Sequence, residues 1–208
     1  MPALQGSLIG HDEPVALGPL AGRLERVILT HGAWVDLLPG WLTGADAVFD
    51  ELVHRVDWRA ERRQMYDNVV DVPRLLRFYG EEEPLPLRIL ERARAVLSEH
   101  YRDELGSHFA TTGMCLYRDG RDSVAWHGDK NGRNGMKDTM VAIVSVGSPR
   151  WLGLRPKGGG ATHRYALGHG DLIVMGGSCQ RTWEHGIAKT ARDVGPRISI
   201  QFRPPGVF

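Results

Sequence analysis

Residues 115–130 read CLYRDGRDSVAWHGDK. A short, mostly apolar run is followed by a charged turn and then by a second short run, SVAWHG. That second run ends on a histidine and an aspartate two positions apart, His127 and Asp129. On an extended chain, residues i and i+2 share a face. One imidazole and one carboxylate can therefore point at a common spot, which is half of a metal site or a coincidence. An isolated HxD occurs by chance in many chains, so the rest of the sequence has to decide.

Outward from this stretch, short runs recur with Gly, Asp or Pro between them. TTGMCLYR and SVAWHG are joined by TMVAIVSV, RWLGLRP, HRYALG, DLIVMGG, WEHGIAK and RISIQFR. Short strands at such spacing predict a sandwich or barrel. The 26 glycines agree with a turn-rich β architecture. Before residue 106 the pattern differs. A short strand is expected at 25–29. A helix is expected after Thr43 as N-cap, with Asp46 in its first turn and Ala47, Val48, Leu52 and Val56 as its apolar stripe. Residues 57–68 read as a charged connection, and 69–79 as an extended segment interrupted by Pro73. A second helix is expected over 87–105, with Ile89, Leu90, Ala93, Val96 and Leu97 on one side. Helices first and strands after predict an α+β domain, its helices packed against a double sheet.

The bulk numbers bound the function. A chain of 208 residues suits one domain with a proper core. Its 26 basic and 25 acidic residues nearly cancel, so a nucleic-acid partner would need a local basic surface. Two cysteines, Cys115 and Cys179, fit a reducing compartment, and a cytoplasmic location is expected. No apolar run has the length of a membrane span, and the first residues lack the pattern of a secretory signal. The glycines of 158–160 have no following helix, which argues against a phosphate-binding loop. The two cysteines lack zinc-knuckle spacing.

A third ligand is needed to complete a metal site. His163 and His169 lie beside glycines in turn-like segments, whereas His185 opens a short apolar run after a Gly-Gly loop. Two histidines and one carboxylate make the facial triad of non-haem Fe(II) oxygenases, which leaves positions open for a chelating co-substrate and O2. The alternative is a surface His–Asp pair and a core histidine. The last strand shifts that balance. RISIQFR places Arg197, Ser199, Gln201 and Arg203 on one face and Ile198, Ile200 and Phe202 on the other. A dicarboxylate such as 2-oxoglutarate needs a guanidinium of this kind.

At this point the chain resembles the AlkB family of Fe(II)/2-oxoglutarate dioxygenases. The resemblance runs through VPRLLRFYGE (72–81), CLYRDGRDSVAWHGDK (115–130), SVGSPRWLGLR (145–155), HGDLIVMGGSCQRTWEHGIAK (169–189) and RISIQFR (197–203). It implies a double-stranded β-helix, or jelly-roll, core over about 107–208, with an N-terminal helical and substrate-facing part over about 1–106. It implies that His127, Asp129 and His185 hold the iron. It implies that Tyr117, Arg197, Arg203 and Ser199 lie in the 2-oxoglutarate site, and that Asn131, Lys130, Arg133, Arg74 and Tyr79 face the substrate. The implied activity is oxidative demethylation of bases of the 1-methyladenine and 3-methylcytosine type in alkylated DNA. The strand would be single or the base flipped, and the enzyme is expected to work as a monomer in DNA repair.

Four positions depart from the family pattern. Cys115 stands where an asparagine is usual, and Ser199 and Gln201 replace the Asn and Thr of RxNxTxR. Asn131 is neutral where relatives usually carry Asp or Glu. The same iron chemistry on RNA, a protein or a small molecule therefore stays open, as does a non-catalytic binding domain that keeps the fold. Residues 58–66, with Trp58, Arg59, Arg62, Arg63, Met65 and Tyr66, are either a nucleic-acid contact or a solvated loop. Lys137, with Lys130 and Arg133, is expected beside the substrate.

Overall fold

The structure is a computed structural model. It describes residues 13–65, 68–129 and 137–207, without the side chains of 63–71. The N-terminal part contributes β1 (Ala16–Leu17), β2 (Glu25–Ile28), β3 (Ala33–Leu38), β4 (Leu42–Thr43), α1 (Ala45–Arg55), β5 (Arg59–Met65), β6 (Asn68–Tyr79), α2 (Arg88–His100) and α3 (Arg102–Leu105). The remainder contributes β7 (Thr111–Tyr117), β8 (Val124–His127), β9 (Val141–Gly147), β10 (Arg150–Pro156), β11 (His163–Leu167), β12 (Asp171–Gly177), α4 (Cys179–Thr182), β13 (Trp183–Ile187) and β14 (Arg197–Arg203). All eight runs read as strands in the C-terminal half are strands.

Two antiparallel sheets face each other. The larger runs β2-β3-β12-β9-β14-β7-β6-β5 and the smaller β11-β10-β13-β8. The larger sheet is buried on both faces, and strand alternation explains how. On β14, Ile198, Ile200 and Phe202 join a core with Val48 and Leu52 of α1 and Leu90 and Leu97 of α2. On the opposite face, Tyr117, Ile143 and Met175 meet Leu152, Leu154 and Trp183 of the smaller sheet. This is the double-stranded β-helix with helices against one side. The part before residue 106 is more than helical, because β2, β3, β5 and β6 extend the larger sheet at its two edges. Leu97 is fully buried, and Leu97→Ala is expected to cost about 2–5 kcal/mol. The check is the midpoint shift in urea unfolding.

Several local expectations are corrected. Gly44, at φ 60°, is the N-cap of α1. Thr43 instead donates its hydroxyl to the Pro14 carbonyl at 2.8 Å. A Cβ at Gly44 would lie 2.7 Å from the Glu13 carbonyl oxygen, so the left-handed turn and the close approach both require glycine. Ala47 is exposed and Ala45 carries the buried position. The charged run after Asp57 forms β5 rather than a loop, because an edge strand has a solvent-facing side that tolerates charge. Pro73 does not interrupt β6. Ala60 pairs with Leu75 and Arg62 with Asp71, so the ladder is irregular where the proline sits and asks no N–H of it. The second helix ends at His100 and resumes as α3.

Candidate active site

The cavity lies between the sheets and measures about 900 Å³. Its wall on the larger sheet consists of in-register rows. Leu76 of β6 faces Cys115 of β7, Cys115 faces Ser199 of β14, and Ser199 faces Ser145 of β9. One row further, Phe78, Gly113, Gln201 and Ile143 align. On the other side, Tyr117 pairs with Arg197. Arg74, Tyr117, Arg197, Ser199, Gln201 and Arg203 all line the cavity.

His127 and His185 sit directly opposite each other on β8 and β13. Val124 pairs with Ile187, so three steps on β8 (124 to 127) match two on β13 (187 to 185). This bulge lets both Val124 and His127 face inward and turns Trp126 away. The imidazole centroids are 4.2 Å apart. Asp129 lies beyond the end of β8, so plain strand alternation is not what positions it. Its N–H donates to Gln180 Oε1 at 2.9 Å, and a Cβ at Gly128 would lie 2.4 Å from the Gln180 carbonyl oxygen. Gly128→Ala is expected to displace the Asp129 carboxylate and reduce turnover about a hundredfold. Steady-state rates, with circular dichroism as the fold control, check this.

The ligating atoms of His127, Asp129 and His185 all lie within 4.8 Å of one another. His127 Nδ1 is 2.9 Å from the Ala125 carbonyl, which can only accept. Nδ1 therefore carries the proton, and Nε2, 3.9 Å from Asp129 Oδ1, presents its lone pair. Burial raises the Asp129 carboxyl, but Arg203 and the two imidazoles outweigh it, so the group is held below its usual range. Burial, then His127, push His185 down to about 3 against the pull of Asp129. The cluster thus offers one carboxylate oxygen and two imidazole nitrogens, a donor set that fits Fe(II).

The neighbouring wall fits a carboxylate ligand. Arg197 is 1% exposed, and its Nε donates to Ser145 Oγ at 2.8 Å. Its Nη1 is buried with no partner among the described residues. Burial lowers the pKa of this guanidinium. A buried cation without an anion costs several kcal/mol, and a ligand carboxylate would supply the anion. Tyr117 is buried beside it, with the Arg197 guanidinium 5.3 Å from the ring. Burial raises the Tyr117 hydroxyl pKa, so it stays a protonated donor. Arg203 donates from Nε to Asp129 Oδ2 at 3.2 Å and from Nη2 to Gln201 Oε1. Gly113 makes room for it, since a Cβ there would meet Arg203 Nη1 at 2.6 Å. Ser199 does not face the ligand alone, because the Gln201 amide donates to its hydroxyl at 3.2 Å and to Cys115 Sγ at 3.5 Å.

The substrate-facing expectations divide. Arg74 lines the cavity and donates to the Ser123 carbonyl at 3.1 Å. Tyr79 is buried in the helix-side core, because an odd spacing from Arg74 puts it on the other face of β6. Phe78, 45% exposed, takes the place at the mouth. Lys130, Asn131 and Arg133 lie outside the described residues, as do the side chains of Arg63, Met65 and Tyr66. Lys137 is exposed and does not line the cavity. Sequence reasoning missed Gln180, which has no local signal. It also missed Ser145, which the alternation of AIVSV could have placed opposite Ser199.

The profile of the 2OG-Fe(II) oxygenase superfamily matches residues 37–203. Alpha-ketoglutarate-dependent dioxygenase alkB homolog 3 of Bos taurus is 30% identical over 187 residues, covering 81% of this chain and 65% of its own length. The chain therefore spans just under two thirds of such relatives. DNA oxidative demethylase ALKBH2 of Mus musculus is 28% identical, covering 96% of this chain and 92% of that protein. The solved structure of OsALKBH1 has a TM-score of 0.57 at 14% identity, covering 85% of this chain and 100% of its own. That last likeness is one of fold. The matched profile and the His127–Asp129–His185 cluster lead to one conclusion: the chain belongs to the 2OG-Fe(II) oxygenase superfamily, and within it is similar to AlkB homologues.

Proposed function

We propose that this protein is an Fe(II)- and 2-oxoglutarate-dependent demethylase of N-alkylated bases, acting on DNA lesions of the 1-methyladenine and 3-methylcytosine type. The observation that carries the reading is the buried Arg197, which has no carboxylate partner among the described residues, in the same cavity as the His127–Asp129–His185 cluster. When bound, Fe(II) and 2-oxoglutarate supply O2-driven oxidation: the co-substrate leaves as succinate and CO2, and a methyl C–H becomes C–OH. The resulting N-hydroxymethyl base then breaks its C–N bond to release formaldehyde.

The chain's own residues bind and orient. His127, Asp129 and His185 would hold the metal. Arg197 and the Tyr117 hydroxyl would pair with the far carboxylate of 2-oxoglutarate, with Ser145 fixing the guanidinium. Arg203 aligns the Asp129 carboxylate. The apolar walls of Leu76, Ile143 and Leu152 exclude water. A base must leave its stack to enter, and Arg74, Arg77, Phe78 and Trp126 around the cavity supply cations and aromatic faces for it. The relatives named as DNA oxidative demethylases support this substrate class.

A second reading keeps the oxidation and changes the substrate to RNA, a protein or a small molecule. It is favoured by the scarcity of acidic groups: Glu61 and Asp129 are the acidic residues among those described around the cavity, so little negative charge meets a cationic base. Formaldehyde release from 1-methyladenine in single-stranded DNA, in RNA and in the free nucleoside separates the two. Release from DNA at the highest rate supports the first. Release from RNA or nucleoside alone replaces it with the second.

A further inference from the structure

The outer face of the smaller sheet carries a surface that runs beyond the cavity. Inward positions on β10 are Arg150, Leu152 and Leu154, so Trp151, Gly153 and Arg155 point out. Gly153 pairs with Arg164 of β11 on one side and Gly186 of β13 on the other. The bulge in β8 sends Trp126 outward across these glycines: a Cβ at Gly153 would lie 2.6 Å from its indole ring. Glycine at that position therefore keeps the sheet flat enough for the ring to lie on it. Trp126 is 37% and Trp151 56% exposed. The Arg155 guanidinium stands 4.4 Å from the Trp126 ring centroid.

The charge on this face is mostly positive. Residues 150–167, the β10–β11 hairpin, contain Arg150, Arg155, Lys157 and Arg164 and no aspartate or glutamate. Arg150 is buried and spends its donors on the carbonyls of Asp119, Asp122 and Ala188. Arg155 pairs with Glu184 at 3.0 Å. Lys157 donates to the Gln180 and Arg181 carbonyls and meets no carboxylate among the described residues, so its charge is not cancelled there. Arg164 is exposed on the outward side. Three outer cations thus stand against one carboxylate, in a chain whose net charge is +1. Trp126 also borders the cavity, so the surface is continuous with its mouth.

We propose that this face is a stacking platform for single-stranded nucleic acid, which takes up the nucleotides flanking the base held in the cavity. Trp126 and Trp151 offer their ring faces to bases, and Arg164 and Lys157 offer charge to phosphates. The platform rests on the nucleic-acid reading of the cavity but is tested apart from it. Trp151 and Arg164 do not line the cavity, so their loss leaves the oxidation machinery in place.

The test uses W151A, R164E and the double variant of the full chain, with fluorescein-labelled dT12 and dT3 carrying no methyl group. Anisotropy titration is expected to show at least a tenfold weaker affinity of the double variant for dT12 and no change for dT3. R164E alone is expected to reduce the salt dependence of dT12 binding. Succinate release with a methylated trinucleotide is expected to stay unchanged. Equal dT12 affinity in wild type and double variant overturns the platform. So does a wild-type dimer that the double variant dissolves, since a second copy would then cover the face. If dT12 binding is lost as expected but no methylated oligonucleotide yields formaldehyde, the platform stands and the demethylase reading fails.

Discussion

Arg197→Met is expected to raise the 2-oxoglutarate concentration needed for half-maximal turnover by about two orders of magnitude. Removing one partner of a buried, hydrogen-bonded charge pair costs about 2–5 kcal/mol, and each 1.4 kcal/mol is tenfold. The guanidinium lies 1% exposed against Tyr117 and donates from Nε to Ser145 Oγ. The same change has an opposite effect on the ligand-free fold. Met fills similar space without burying an unpaired charge, so the variant alone is expected to unfold at the same temperature or higher. In the wild type, Fe(II) with 2-oxoglutarate at a hundred times its dissociation constant adds about 2.7 kcal/mol of stability. In the variant, 2-oxoglutarate at that concentration is expected to add little. Thermal unfolding with and without co-substrate reads both effects. An unchanged 2-oxoglutarate requirement would remove Arg197 from the site.

Asp129→Ala and His185→Ala are each expected to lower turnover at least a thousandfold, a loss of about 4 kcal/mol or more at 1.36 kcal/mol per tenfold. Each removes one of three donors from a cluster whose remaining two cannot hold the metal in a fixed frame. Asp129→Ala also strands Arg203, whose Nε bond to that carboxylate is lost. His185→Ala leaves that pair intact. Co(II) titration followed by visible absorption should show weak binding in both variants. Tight Co(II) binding by either variant would mean that the ion sits elsewhere.

The sequence made the C-terminal half legible because each strand there is short, apolar on at least one face and bounded by turn residues. RISIQFR was the clearest case: Ile198, Ile200 and Phe202 enter the helix-side core while Arg197, Ser199, Gln201 and Arg203 line the cavity. The N-terminal strands were harder to see. β3 carries a buried aspartate, Asp36, which is tolerated because Arg26 at 2.7 Å and the Tyr101 hydroxyl at 2.8 Å satisfy it. Such partners are far away in sequence. β5 was hidden by its charge, which an edge strand accommodates. Within the site, the spacing of His127 and Asp129 pointed to the metal cluster. The two residues are not aligned by strand alternation. A bulge opposite Gly186 sets His127, and Gln180 sets Asp129 from 51 residues away. Tyr79 was misplaced for a related reason. The cavity-lining Arg74 is five positions off, an odd number, and on one strand that means opposite faces.

The most direct measurement is the paired yield of succinate and formaldehyde. Purified protein is given Fe(II), 2-oxoglutarate, O2 and single-stranded DNA carrying 1-methyladenine or 3-methylcytosine, and both products are counted against the restored base. The expected result is equal amounts of succinate, formaldehyde and repaired base, all lost with Asp129→Ala. Succinate without formaldehyde, or no succinate at all, would contradict the account.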